Sequence, residues 1–153
     1  MAIRNVVKEG DDILLKKCRM VEKFDRKLAE LIDDMFETMH DANGVGLAAP
    51  QVGILRRVVV IDTGEGPMEL VNPQIIEKHG TQQETEGCLS CPGVWGITKR
   101  PMWVKVRAQD RLGIYHEYEG QDLLARAFCH EIDHLDGILF RSHVVEYIEP
   151  DDE

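Results

Sequence analysis

Residues 130–134 read HEIDH. His130 and His134 are four apart, so on a helix they stand about 40° from each other and two imidazoles reach one metal ion. Glu131 lies about 100° round from His130, close enough to reach a water activated there without being a ligand. This is the H-E-x-x-H spacing of zinc hydrolases, although a surface helix that happens to carry two histidines has it too. A catalytic ion needs a third ligand. Downstream, Asp136, His143 and Glu146 fall at no known zincin spacing. Upstream, Cys88 is the better candidate, because a thiolate binds iron(II), zinc or nickel strongly. A Cys-His-His set leaves a fourth position open.

Cys88 sits in EGCLSCPG, residues 86–93, where it forms a C-x-x-C with Cys91. That spacing suggests a redox pair or half of a zinc site. A thiol–disulfide oxidoreductase using Cys88 and Cys91 would place the pair at a helix N-terminus, and the surrounding sequence reads strand and turn. A non-catalytic zinc-stabilised binding module would require a second C-x-x-C or a closed four-ligand set, yet Cys18 and Cys129 stand alone. In an extended chain, residues three apart point to opposite faces. Cys88 is therefore expected to face the ion and Cys91 to face away into packing, as a small apolar residue. A third stretch, GVGLAAPQVG at 44–53, lacks the phosphate-loop pattern and any Lys or Arg. It is either a turn packed under a helix or a place where small residues let a ligand approach the backbone. Gln51 is its only polar side chain, with an amide able to donate.

These residues need elements to hold them. A core helix is expected over 24–43, because Leu28, Leu31, Ile32, Met35, Phe36 and Met39 recur at helical spacing. Asp25 is its N-cap candidate and Asn43-Gly44 its stop. The middle reads as strands: 57–61 buried, 69–76 with Pro73 at an edge or bulge, and 103–110 with Val104, Val106 and Ala108 on one face. Residues 110–113, DRLG, suggest a hairpin turn into a strand over 114–118. A second helix is expected over 121–135, stopped at Gly137, and it carries HEIDH. Strands grouped before a late helix imply an α+β fold. Asp133 points away from both histidines and should either orient neighbours or pair with a base such as Arg100. Arg126 lies either on the substrate side or on a solvated face.

At 153 residues the chain is expected to be one catalytic domain, 1–153, with a short acidic tail from about 146. Its 43% hydrophobic and 30% charged residues suit a globular protein. The N-terminal residues show no signal-peptide pattern and no apolar run is long enough to cross a membrane, so the expectation is cytoplasmic. A formal net charge of −10 disfavours nucleic-acid binding. Four cysteines are too few for a disulfide scaffold.

GVGLAAPQ, EGCLS and HEIDHLDG, in this order and spacing, resemble the motifs of peptide deformylases. The resemblance runs from IRNVVKEGDDILL to about Phe140 and includes RPMWVKVRAQD. The family more often has Val or Ile where this chain has Cys91. The resemblance implies a hydrolase that removes the formyl group from the N-terminal formylmethionine of new polypeptides, with the motif helix packed among antiparallel strands. It implies one divalent metal ion held by Cys88, His130 and His134, usually Fe2+, with Zn2+, Ni2+ or Co2+ able to occupy the site. It implies Glu131 as general acid–base, and the Gln51 side chain and Leu89 backbone N–H as oxyanion donors. It also implies an extended peptide paired with the Val45–Gly46 and Gly87 segments. Leu123 and Ala127, seven and three residues before His130 on one helical face, are candidates with Val45 for the methionine slot, or plain core. The expected partners are N-formylmethionyl peptides. Work near the ribosome fits that substrate, but no docking element can be read from the sequence. A monomer, with no nucleic acid and no membrane partner, is expected.

Overall fold

The computed structural model describes residues 2–148. Two antiparallel sheets enclose a central helix. The first sheet has five strands, ordered β1 (Gly46–Ala48), β2 (Val58–Ile61), β3 (Met68–His79), β6 (Trp103–Gln109) and β7 (Tyr115–Gln121). The second has three, ordered β4 (Gln82–Cys88), β5 (Cys91–Arg100) and β8 (Val144–Ile148). All named pairings are antiparallel, which gives the expected α+β class.

Helix α1 spans Arg26–Asp41, and the Asp25 carboxylate accepts from the Leu28 N–H at 3.1 Å. That bond satisfies one of the helix's free amides. Its apolar stripe, Leu28, Leu31, Ile32, Met35 and Met39, is buried against one face of the large sheet, where it meets Val58, Val60 and Val71. Helix α2, Asp122–Leu135, packs on the opposite face through Ala125, Phe128, Cys129, Ile132 and Leu135. There it meets Val59, Ile61, Leu70, Val104 and Val106. Strand β2 is thus covered on both sides, which is why VVVI is a continuous apolar run.

Pro73 lies within β3, between two paired strands. The ladder tolerates it through a bulge: register shifts between Val71 and Gln74, and Asn72 takes a φ of 52°. The buried Asn72 side chain accepts from Val21 N–H (2.8 Å) and donates to Val21 O (3.0 Å) and Gln109 Oε1 (2.9 Å). Residues 110–113 form the expected turn, and the strand after it runs Tyr115–Gln121, longer than expected.

The start of α2 has no side-chain cap of its own. Gln82 on β4 supplies the anchor, donating Nε2 to Asp122 O (3.0 Å) and Pro101 O (2.9 Å). The helix stops at Gly137, whose φ is 73° and where a Cβ would lie 2.4 Å from the Leu15 carbonyl oxygen. Only glycine fits both conditions.

The three-stranded sheet had no counterpart among the expected strands. Apart from Cys91 and Gly96, its buried residues are polar: Gln82, Glu86, Thr98 and Arg100. An apolar alternation is therefore absent. Strand β8 begins at Val144, so the stretch from 146 is strand as far as Ile148, and the remainder of the expected acidic tail, 149–153, lies outside the described residues. Among the described residues, no helix is long and apolar enough to cross a membrane.

Candidate metal and catalytic site

A cavity of about 440 Å³ opens between β1, the β4–β5 hairpin and α2. Every residue singled out from the sequence for chemistry or binding lines it, except His134, which lies fully buried behind it. The structure brings together the sulfur of Cys88 and one ring nitrogen each of His130 and His134, all within 4.8 Å of one another. Cys88 Sγ is 3.5 Å from His134 Nε2.

Both imidazoles project from the buried side of α2. His130 Nδ1 lies 2.7 Å from Glu86 Oε1, which fixes the ring and turns Nε2 toward the site. Glu86 is itself pinned by Arg100, through Nη2 at 2.9 Å and Nε at 3.1 Å, and by the Thr98 hydroxyl. Arg100 reaches on to Asp133 Oδ2 at 2.9 Å, and His143 Nε2 lies 3.0 Å from the same oxygen. Arg100 is therefore the base that Asp133 pairs with. The Phe140 ring stacks on His130 with centroids 5.9 Å apart.

These contacts decide the charge states. Burial alone would push Glu86 up, but the His130 and Arg100 hydrogen bonds outweigh it and hold its carboxyl down at about 2. Burial, then the positive charges of His130 and Arg100, depress His134 to about 3, so its ring is neutral. For His130, burial works against the charged form, and the Glu131 and Glu86 carboxylates outweigh it and raise its pKa. Glu131 is raised to about 7 by burial, partly countered by His130. Cys91 beside it, then burial and the Glu131 charge, hold the Cys88 thiol above its ordinary value.

The donor set fits a divalent cation. A thiolate and two imidazoles converge, a combination suited to iron(II), zinc or nickel. Glu131 Oε1 is buried with no hydrogen-bond partner among the described residues, and a cation beside it would stabilise both that carboxylate and a Cys88 thiolate. The carboxylate sits directly on β1: a Cβ at Gly46 would lie 2.6 Å from Glu131 Oε2.

Gln51 belongs to a 3-10 turn, Ala49–Val52, and is 1% exposed. Its Oε1 accepts from Ala48 N–H (2.9 Å), and its Nε2 donates to Ser90 Oγ (3.1 Å) and lies 3.6 Å from Cys88 Sγ. The amide nitrogen thus faces Cys88 and Ser90 on the β4–β5 turn. Leu89 and Ser90 form the two-residue turn between β4 and β5. Val45, Gly46, Gly87, Leu123 and Ala127 line the same cavity. The Val45 carbonyl already accepts from Asp62 N–H (2.8 Å), so strand alternation turns the Gly46 amide and carbonyl outward. Arg126 also lines the cavity, held by Nη1 on Gln82 Oε1 at 2.7 Å.

Cys91 departs from expectation. Cys88 and Cys91 are directly paired across the hairpin. The expectation of opposite faces assumed that the chain stays extended. A two-residue turn reverses it, and cross-strand partners share a face. The motif nevertheless sits in a hairpin and not at a helix N-terminus, so the thiol–disulfide oxidoreductase reading has no support, and no second C-x-x-C exists for the zinc-module reading. Glu86 and Ser90 went unrecognised in the sequence, and Arg100 was expected only as a partner for Asp133. The only signal for Glu86 was its place two residues before Cys88.

A family profile described as polypeptide deformylase matches residues 3–148. The chain is 57% identical over 148 residues to the peptide deformylase of Caldicellulosiruptor bescii, covering 97% of this chain and 89% of the relative. It is 56% identical over 152 residues to that of Acetivibrio thermocellus, covering 99% and 89%. The crystal structure of the peptide deformylase of Thermotoga maritima superposes with a TM-score of 0.91 at 42% identity, covering 93% of this chain and 97% of that one. That of Legionella pneumophila gives 0.90 at 45% identity, covering 93% and 86%.

Proposed function

The chain belongs to the polypeptide deformylase family, and we propose from that premise how its own residues carry the reaction. It is a metallohydrolase that removes the N-formyl group from the N-terminal formylmethionine of nascent polypeptides and releases formate. The observation that supports the assignment of roles is the convergence of Cys88, His130 and His134 beside the buried Glu131 carboxylate.

Cys88, His130 and His134 hold the divalent ion, which when bound polarises the formyl oxygen and supplies a nucleophilic water at neutral pH. Glu131 takes the proton from the attacking water at its carboxylate and returns it to the leaving amine nitrogen. A base works best with its pKa near the operating pH; burial raises the Glu131 carboxyl, and the bound cation would draw it down again. The Gln51 Nε2–H and the Leu89 backbone N–H donate to the formyl oxygen as negative charge develops there. Losing one such donor typically costs about 10²–10³ in rate. Glu86 keeps His130 in the tautomer that presents Nε2.

β1 and β4 are both edge strands, one in each sheet, and they face each other across the cavity. An extended peptide slots between them, pairing with the outward backbone of Gly46 and with Gly87. Val45, Leu123 and Ala127 wall the methionine side chain. Formyl is the smallest acyl group, and a tight site excludes the added methyl of acetyl by sterics.

The chain works as a single catalytic domain, a cytoplasmic monomer, and acts on N-formylmethionyl peptides as they emerge in protein synthesis. Iron(II), the usual ion of the family, is its resident metal, replaceable by zinc, nickel or cobalt. Metal analysis of anaerobically purified protein checks the ion. The decisive assay compares formyl-Met-Ala-Ser with acetyl-Met-Ala-Ser. Release of formate without acetate is expected, and equal release of both would overturn the acyl selectivity.

A further inference from the structure

The pairing of Cys88 with Cys91 has no part in hydrolysis. Directly opposed residues of an antiparallel pair have Cα atoms about 4.5–5.5 Å apart, inside the span of about 4.4–6.8 Å that a disulfide bridges without backbone movement. Both thiols are free. Their access differs. Cys88 is half-buried and opens onto the cavity. Cys91 borders the same cavity but is only 2% exposed. The other two cysteines, Cys18 and Cys129, are buried.

We propose that Cys88 and Cys91 form a peroxide-reactive dithiol in which oxidation joins them as a disulfide and withdraws Cys88 from the metal-ligand set. The withdrawal rests on the reading of Cys88 as a ligand. A small hydroperoxide enters the cavity and meets Cys88 first. The Cys88 sulfur attacks one peroxide oxygen, the O–O bond breaks, and Cys88 becomes a sulfenic acid with release of water. The Cys91 sulfur then attacks the Cys88 sulfur, the S–O bond breaks, and hydroxide leaves with the Cys91 proton as a second water. Two thiols are oxidised and one hydrogen peroxide is reduced to two waters. A dithiol reductant reverses the change. Without Cys91, the sulfenic acid has no neighbouring thiol and proceeds with further peroxide to sulfinic and sulfonic acids, which such reductants do not restore. Cys91 thus makes oxidation of this site reversible.

The test uses full-length protein loaded with zinc, which has no redox chemistry of its own. After treatment with hydrogen peroxide, the wild type should lose both alkylatable thiols at 88 and 91. Peptide mapping should yield the cross-linked pair, and a chromogenic chelator should detect one zinc released per chain. Dithiothreitol and fresh zinc should restore all three readouts. Cys91→Val, loaded equally with zinc, should instead carry two or three added oxygens on Cys88 and not recover. Identical Cys88 products in the two proteins would overturn the proposal, as would Cys91 remaining fully alkylatable. A cross-link formed while zinc stays bound would overturn the withdrawal of a ligand. Retention of zinc by untreated Cys88→Ser identifies, separately, failure of the ligand reading itself.

Discussion

Glu131 shows how one residue is tuned by its surroundings. Among the described residues Oε1 has no hydrogen-bond partner, and Oε2 occupies the space that a Cβ at Gly46 would need. Glu131→Gln keeps the shape but cannot accept a proton. It should retain the metal, checked by metal analysis, and lose roughly 10²–10⁴ in kcat for formate release. Gly46→Ala tests the same contact from the other side. The new Cβ must displace the carboxylate, and a shift of about 1 Å at a catalytic group costs on the order of 10²-fold. Its kcat should fall while the circular dichroism spectrum stays that of the wild type. Metal content separates the two cysteines: Cys88→Ala should lose the ion and Cys91→Ala should keep it.

At the scale of elements, the site depends on strands that end or bend where side chains demand it. The β3 bulge is held by Asn72, which makes three hydrogen bonds from a left-handed backbone. Asn72→Ala leaves the Val21 amide and carbonyl without that partner. A loss of about 2–3 kcal/mol is expected in urea unfolding. Helix α1 and strands β2 and β6 were legible, because their apolar residues recur at local periods of 3.6 and 2. The β4–β5 hairpin was not. Apart from Cys91 and Gly96, its buried positions hold Gln82, Glu86, Thr98 and Arg100, which are indistinguishable by pattern from a solvated loop.

Across the whole molecule, a buried ion network ties the two sheets together. Glu86 and Arg100 belong to the three-stranded sheet, while Asp133 and His130 lie on the helix packed against the five-stranded one. The N-terminal segment adds a second tie, with Val7 N–H donating to Gln51 O and Glu9 N–H to Ser90 O, each at 2.7 Å. The Glu86 carboxyl is held at about 2 in the fold, below its unfolded value of about 4.3. The unfolded state therefore binds more protons between these values, and stability rises with pH there. In metal-free protein, about 3 kcal/mol contributed by Glu86 should be fully present above about pH 4.5 and be lost as the pH falls toward 2. Denaturant titrations across that range should show the slope for wild type and a flatter one for Glu86→Gln.

Residue types and short-range spacing determined the reactive set: two histidines one helical turn apart, a glutamate between them, one upstream cysteine and one glutamine in an otherwise apolar turn. Such features survive in one dimension because helix geometry fixes which side chains meet within a turn. Only the tertiary structure decided that Glu86 holds His130, that Arg100 binds Glu86 and Asp133 together, and that Cys91 lies beside Cys88. Those partners are brought together by strand pairing, helix docking and a two-residue turn. Contacts across such distances in sequence leave no period to read when the buried face is polar.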